Sequence, residues 1–270
     1  MSYPVYFINA FAEGYYQGNT AAVVIVDEFP EQSKLQALAK EFNFSETVFV
    51  KGIAGGRFHI RWFTPEVEVA LCGHGTLAAA KALFAANIAS NDRISFDSLS
   101  GELIARKRDE LIELDFPVDT PVAFEVESAV VDLVSPNQPV EILYAAKTNN
   151  LILVYASPEQ VLTMQPDFAK LTAYKSNKFF GVAVTAAGTN ELDYICRYFA
   201  PWEGINEDPV TGSAQTFLAP YWGKRLGKNE LEGFQASQRG GRFHLEVKGT
   251  RVLISGKAFI YLKGEIADGW

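Results

Sequence analysis

Cysteine is nearly absent from this chain: Cys72 and Cys196 are its two thiols among 270 residues. Two cysteines cannot supply a disulfide framework, so the fold must rest on its apolar core, as expected of a reducing compartment. Histidine is almost as scarce. His59, His74 and His244 are the three present, and no two have helical or zinc-type ligand spacing, so no resident metal is expected. Excess positive charge is missing as well. A net charge of −8 opposes a nucleic-acid surface, which needs clustered Lys and Arg. No apolar run approaches the ~18 residues that span a bilayer. The short run Val5 to Ile8 has no Lys or Arg before it, which makes a poor signal peptide. Neither a membrane partner nor a secreted location is expected, and cytoplasmic is the default. Nucleotide-phosphate motifs and a serine-hydrolase elbow are also missing, so no nucleotide cofactor is expected.

What is present begins with ample apolar content. Hydrophobic residues make up 48% of the chain, enough for two ordinary domains with a core each. The most informative stretch runs from Glu66 to Ala80. Val67, Val69 and Leu71 alternate with Glu66, Glu68 and Ala70, which predicts a strand. A tight Cys72-Gly73-His74-Gly75-Thr76 turn follows, and then an alanine-rich helix from Leu77 to Phe84. A glycine turn feeding a helix leaves its first N–H groups unpaired, a setting that favours a carboxylate or phosphate. Glycines that merely let the chain turn are the plainer alternative.

A second copy strengthens the functional reading. Arg61-Trp62-Phe63-Thr64-Pro65 is echoed by Arg197-Tyr198-Phe199-Ala200-Pro201, at an offset of 136 residues (199 − 63). Phe44 and Val48 match Phe180 and Val184 at the same offset, and Pro30-Glu31-Gln32 is echoed more weakly by Pro158-Glu159-Gln160. The second copy continues through Asp208-Pro209-Val210-Thr211-Gly212-Ser213-Ala214, again a small-residue turn before a helical run to Trp222. A period near half the chain is a duplicated domain. The two prolines of Phe116-Pro117-Val118-Asp119-Thr120-Pro121 mark the crossing between halves. Each half reads as many short strands with one prominent helix.

Among ionisable residues, Glu46 stands out. It interrupts an apolar stretch between Phe44 and Val48, and the duplicate carries Val182 at that register. A carboxyl beside aromatic rings is expected to have its pKa raised by desolvation, which suits proton transfer near neutral pH. An exposed glutamate at a strand entry is the competing account. Asp208 serves equally as a helix N-cap. Cys72 is a nucleophile or a small buried hydrophobe, and the lack of a thiol at the duplicate turn favours the second. His59 and His244 read as structural residues on the outer faces of strands.

Gly18-Asn19, Ser45-Glu46-Thr47, Cys72-Gly73-His74-Gly75-Thr76 and Gly204-Ile205-Asn206-Glu207-Asp208-Pro209-Val210-Thr211-Gly212-Ser213-Ala214 resemble the PhzF-like phenazine-biosynthesis family over essentially the whole chain. The resemblance implies an α+β fold of the diaminopimelate epimerase type: two pseudo-symmetric domains, each a β-barrel-like sheet wrapped around a central helix, with the site between them. The halves would be 1–116 and 117–270, the last strand being able to return to the first half. It implies a cofactor-independent isomerase that moves a proton on a small carboxylated substrate, with Glu46 as acid and base. Asn19, Ser45, Gly73, His74, Gly75, Asp208, Thr211, Gly212 and Ser213 would surround the substrate. A homodimer is implied by dimeric members. Gly18-Asn19-Thr20 replaces the commoner Gly-Asn-Pro, and Gly75 stands where the phenazine enzyme has alanine, so the substrate does not follow. Two readings remain beside this one. The first is a non-catalytic ligand-binding or protein-interaction member of the fold. The second is an epimerase or racemase: the epimerase relatives use two cysteines, one from each half, and this chain has Cys72 at the first position but Pro209 near the second, which disfavours it.

Overall fold

A computed structural model of the chain describes residues 2–89, 91–174 and 179–267. They form two compact units, Met1–Phe116 with Leu253–Trp270, and Pro117–Val252. The first unit opens with strand β1 (Tyr3–Ala10), which pairs antiparallel with β2 (Asn19–Val26). Helix α1 (Gln32–Phe42) carries the chain over to β3 (Glu46–Ile53), parallel to β2. Leu35 and Ala39 of α1 bury against Val24, Phe49 and Phe63, which explains the three- and four-residue spacing in the sequence. A glycine turn then leads to β4 (Arg57–Phe63), antiparallel to β3.

The strand expected across Glu66 to Leu71 shrinks to the two-residue β5 (Glu68–Val69), and Val67 is exposed. Alternation was present, but the bend at Thr64 consumes its first residues: Thr64 Oγ1 accepts from the amides of Glu66 and Val67. Helix α2 (Gly73–Ala85) follows. From Gly73 to Ala80 every residue is buried, as befits a helix enclosed on all sides. Strand β6 (Arg93–Ser98) joins the sheet parallel to β4, and β7 (Gly101–Arg108) and β8 (Leu111–Pro117) follow it in antiparallel order.

In the second unit, β9 (Val122–Ala123), helix α3 (Ser128–Val134), β10 (Glu141–Ala145) and β11 (Asn150–Val154) lead to α4 (Pro158–Leu162) and α5 (Phe168–Ala173). Strands β12 (Gly181–Ala187) and β13 (Tyr194–Phe199) come next. β11 runs parallel to β12, and β12 antiparallel to β13, the same sequence of pairings as β2, β3 and β4. The helices α4 and α5 thus take the crossover place that α1 holds in the first unit. Helix α6 (Gln215–Leu226) matches α2 in chain order and packs on β14 (Glu230–Gln235) and β15 (Gly241–Lys248). Its Trp222 donates to Thr185 Oγ1 and stacks on Tyr194.

The duplicated arginines give the repeat its physical content. Arg61 grips Glu68 through two hydrogen bonds of 2.7 Å and lies 5.1 Å over Phe63. Arg197 grips Glu207 at 2.7 and 3.0 Å and lies 5.0 Å over Phe199. Both are forked, partly buried pairs stacked on the ring two residues onward, a use that lysine does not serve.

After β16 (Arg251–Gly256), β17 (Ala258–Ile266) pairs antiparallel with β1 and belongs to the first unit. Helix α2 packs on β1, β2, β3, β7 and β17, strands drawn from both ends of that sheet, so the sheet wraps around it. No helix among the described residues is long and apolar enough to cross a membrane.

Candidate active site

Six of the ten sequence-predicted residues meet at the N-terminal end of α2 in the first unit. Glu46 is the first residue of β3, and its alternation with Val48 and Val50 turns it to the face that α2 covers. His74 sits in the first turn of α2 and is buried. Its Nε2 lies 2.8 Å from Glu46 Oε2. The ring N–H is poorly aligned for a hydrogen bond, so the contact is an ion pair, and Oε2 is a buried oxygen without a hydrogen-bond donor among the described residues.

Asn19 opens β2 on the other side of the imidazole. Its Nδ2 lies 3.2 Å from His74 Nδ1, while its Oδ1 accepts from Ser45 Oγ at 2.8 Å. Ser45 Oγ is also 3.1 Å from Thr20 O and 3.3 Å from His74 Nε2. In this orientation Nδ1 accepts, so the proton sits on Nε2 facing Glu46. Turning the Asn19 amide over serves the imidazolium equally well: Oδ1 then accepts from Nδ1–H, Ser45 accepts from Nδ2 and donates to Thr20 O. Asn19 and Ser45 together accommodate either charge state of His74.

Cys72 completes the cluster, and the sequence reading undervalued it. It is the N-cap of α2, and its Sγ accepts the Gly75 amide at 3.3 Å. The same sulfur lies 3.6 Å from His74 Nδ1 and 3.9 Å from Nε2. Gly75 is required for this closeness. A Cβ there would meet Trp62 Cδ1 at 2.9 Å and Cys72 Sγ and Val48 Cγ2 at 3.0 Å. The amides of Gly73 and His74 donate to no acceptor among the described residues, which leaves a helix N-terminus open to a negative group.

The electrostatics depart from the sequence expectation. Desolvation alone raises the pKa of Glu46, as anticipated, but the positive charge of His74 and polar contacts with His74, Ser45 and Cys72 outweigh it and hold the carboxyl below its ordinary range. Aromatic residues flank Glu46 along the chain, but the fold sets a cation beside it. Burial depresses His74, yet the charges of Cys72 and Glu46 lift it well above the usual imidazole range. Burial, then the Glu46 carboxylate, push the Cys72 thiol up.

The other four predicted residues lie in the second unit and form a hydrogen-bonded turn of their own. Asp208 Oδ2 accepts from Thr211 Oγ1 at 2.5 Å, and Gly212 O and Ser213 O accept from the amides of Gln215 and Thr216, both at 3.1 Å. Asp208 is therefore not the N-cap of α6; that position is Ala214, without a side-chain cap. Gln235, absent from the sequence reading, holds the turn. Its Oε1 accepts from the Thr211 amide at 2.8 Å, and its Nε2 donates to Asp208 O at 2.7 Å. Nothing in the chain pattern marks it, because its burial at the end of β14 exists only in the fold. Cys196, the second thiol, sits within β13 and not at this turn, and burial pushes it up to about 12.

Residues 8–264 match the model of the phenazine biosynthesis-like (PhzC-PhzF) family. The chain belongs to that family. It is 40% identical to an uncharacterized isomerase of Pseudomonas aeruginosa, over 98% of this chain and 99% of the relative. A crystal structure of a PhzF-family protein from Enterococcus faecalis superposes with a TM-score of 0.92 at 40% identity, covering 99% of this chain and 100% of the other. A hydroxyproline epimerase from Agrobacterium vitis shares the fold alone, with a TM-score of 0.62 at 11% identity over 99% of this chain and 93% of its own. The chain is thus a PhzF-type isomerase by family, with the α+β architecture of that group.

Proposed function

We propose that this protein is a cofactor-independent isomerase that moves a proton between two carbons of a small carboxylated substrate, with Glu46 as the single acid and base. The observation that carries this reading is the Glu46 carboxylate buried against His74 at 2.8 Å. Isomerising a double bond takes a proton from one carbon and returns one to another. A carboxylate does the first and the resulting acid the second, provided both carbons lie on one face within its reach.

The lowered pKa makes the ionised, proton-accepting form the resting one. Such a carboxylate is a weak base, so the substrate C–H must be acidified by an adjacent carbonyl or carboxylate. The unpaired Gly73 and His74 amides suit that acidifying group: they offer the partial positive charge of a helix N-terminus where negative charge develops. As Glu46 takes the proton, it ceases to hold the His74 imidazolium, and the weakened pair favours return of the proton to substrate. Asn19 and Ser45 keep the imidazole in place through the cycle. The turn carrying Asp208, Thr211, Gly212 and Ser213 is assigned to substrate binding on the family pattern.

Glu46→Gln tests the reading. The amide keeps shape and hydrogen bonding but cannot shuttle a proton, so turnover should fall by about three orders of magnitude or more while substrate binding persists. In deuterated water the wild type should place deuterium at the carbon that receives the proton. Near wild-type turnover by Glu46→Gln overturns the assignment.

A further inference from the structure

We propose that Glu46, Cys72 and His74 form a binding site for a thiophilic divalent cation, such as zinc, whose occupation blocks the acid–base chemistry of the same residues. A carboxylate oxygen of Glu46, Cys72 Sγ and a His74 nitrogen all lie within 4.8 Å of one another. Glu46 Oε2 and His74 Nε2 are 2.8 Å apart, and Cys72 Sγ is 3.9 Å from that nitrogen. Tetrahedral zinc with bonds of about 2.0 Å to N and O and about 2.3 Å to S separates its ligand atoms by roughly 3.3–3.6 Å. The nitrogen–oxygen and nitrogen–sulfur pairs therefore need adjustments of about half an ångström, and the sulfur–oxygen pair, which lies within 4.8 Å, needs at most about 1.3 Å.

Three further features fit a cation. Glu46 Oε2 is buried without a hydrogen-bond donor among the described residues and is balanced by the His74 charge, a place a cation can take when the imidazolium loses its proton. The thiolate and carboxylate supply two negative charges, and the sulfur and imidazole select a softer ion over magnesium or calcium. Asn19 lies against Nδ1 of His74, and with its amide turned so that Oδ1 accepts from Nδ1–H it leaves Nε2 to a metal and fixes the ring. Three protein ligands leave a fourth position for water or an anionic group, as in open zinc sites. Histidine spacing gave no hint of this, because one ligand comes from β3 and two from the start of α2.

The proton balance is simple. From the imidazolium, the cation replaces the thiol proton and the Nε2 proton, both of which pass to solvent, and the neutral ring keeps its proton on Nδ1. Oε2 and Nε2 are then committed to the metal and cannot exchange a proton with substrate. This inhibitory consequence rests on the isomerase reading, whereas binding itself does not.

The test is therefore made without substrate. Metal-free full-length protein is titrated with zinc and with cobalt(II), followed by calorimetry, thermal melting and absorption spectroscopy. One equivalent should bind, reversibly with chelator, raise Tm, and with cobalt give a thiolate-to-metal charge-transfer band. Cys72→Ser should abolish the band and weaken zinc binding by about 100-fold or more. The surface variants His59→Gln and His244→Gln should bind as the wild type does. Zinc-edge absorption of the wild type should show one sulfur ligand, a readout that stands even if a variant fails to fold. Absence of saturable binding, a zinc shell without sulfur, or a cobalt band that survives Cys72→Ser overturns the site. Loss of the isomerase reading would show elsewhere, as absent proton exchange with substrates, and would leave these titrations unchanged.

Discussion

His74 Nε2 and Glu46 Oε2 stand 2.8 Å apart, and each shifts the other toward its charged form. Removing two charged groups from water is costly, and the pair offsets this only because both partners are present. The consequences are open to measurement.

The pair should shape stability against pH in a defined window. His74 is raised in the folded protein, so its contribution is complete below the ordinary imidazole value of 6.5 and is lost as pH rises through the folded value. Glu46 is lowered, so its contribution is complete above the ordinary 4.5 and is lost as pH falls through the folded value. The difference in Tm between wild type and Glu46→Gln should therefore be largest between pH 4.5 and 6.5. Nitrogen-15 shifts of His74 should show its pKa falling in Glu46→Gln. An unchanged His74 titration would refute the coupling.

Cys72 should be dispensable for proton transfer but not for the helix start. Cys72→Ala removes the acceptor of the Gly75 amide and should cost about 1 kcal/mol, the usual worth of an N-cap. Most isomerase activity should remain once the protein is folded, and Cys72→Ser should recover part of the stability. Complete inactivation of a folded Cys72→Ala would revive a thiol-dependent epimerase.

Gly75→Ala sets two effects against each other. Alanine is better than glycine in a helix by about 1 kcal/mol. Its methyl, however, must displace Trp62, Cys72 and Val48 from contacts of 2.9–3.0 Å, and overpacking of this kind costs about 1–3 kcal/mol. Overpacking should win, with lower Tm and a disturbed His74 environment. Adding Trp62→Phe should recover part of the loss if the indole is the obstacle. A stabilised Gly75→Ala would show that the first turn of α2 relaxes freely.

Arg197→Ala should be among the most damaging single changes in the second unit. It strips Glu207 of its partner and leaves Val161 O and Met164 O without the guanidinium that holds them. Breaking a buried pair from one side costs about 3–5 kcal/mol. Denaturant unfolding of Arg197→Ala measures it; a loss under 1 kcal/mol would mean that the pair is solvated.

Much of this architecture was legible in the chain itself. The echo of Arg61-Trp62-Phe63 in Arg197-Tyr198-Phe199 exposed the duplication, because both copies use the same local device: an arginine forked onto a glutamate and stacked on a phenylalanine. The alanine run from Leu77 is determined by local propensity and lies in α2, but Gly73 to Thr76, expected as a separate turn, forms the first turn of that helix. Glu46 was visible as an acid where its duplicate has Val182. Less local elements were not visible. Helix α5 is six residues long, too short for periodicity to register, and Gly233 interrupts the pattern of β14 because a side chain there would strike the Tyr194 ring.

Tertiary structure decided the charge state of the site. Aromatic neighbours in the chain argued that Glu46 is held protonated, but the group that governs it, His74, lies 28 residues away (74 − 46) and reaches it through the packing of β3 on α2. The charge of His74, together with polar contacts from His74, Ser45 and Cys72, outweighs the desolvation that burial imposes. Cys72 gained its place in the cluster by the same route. Its chain neighbours show a small residue at a turn, and its spatial neighbours make it a cap for Gly75, a contact for His74 and a third donor atom beside Glu46.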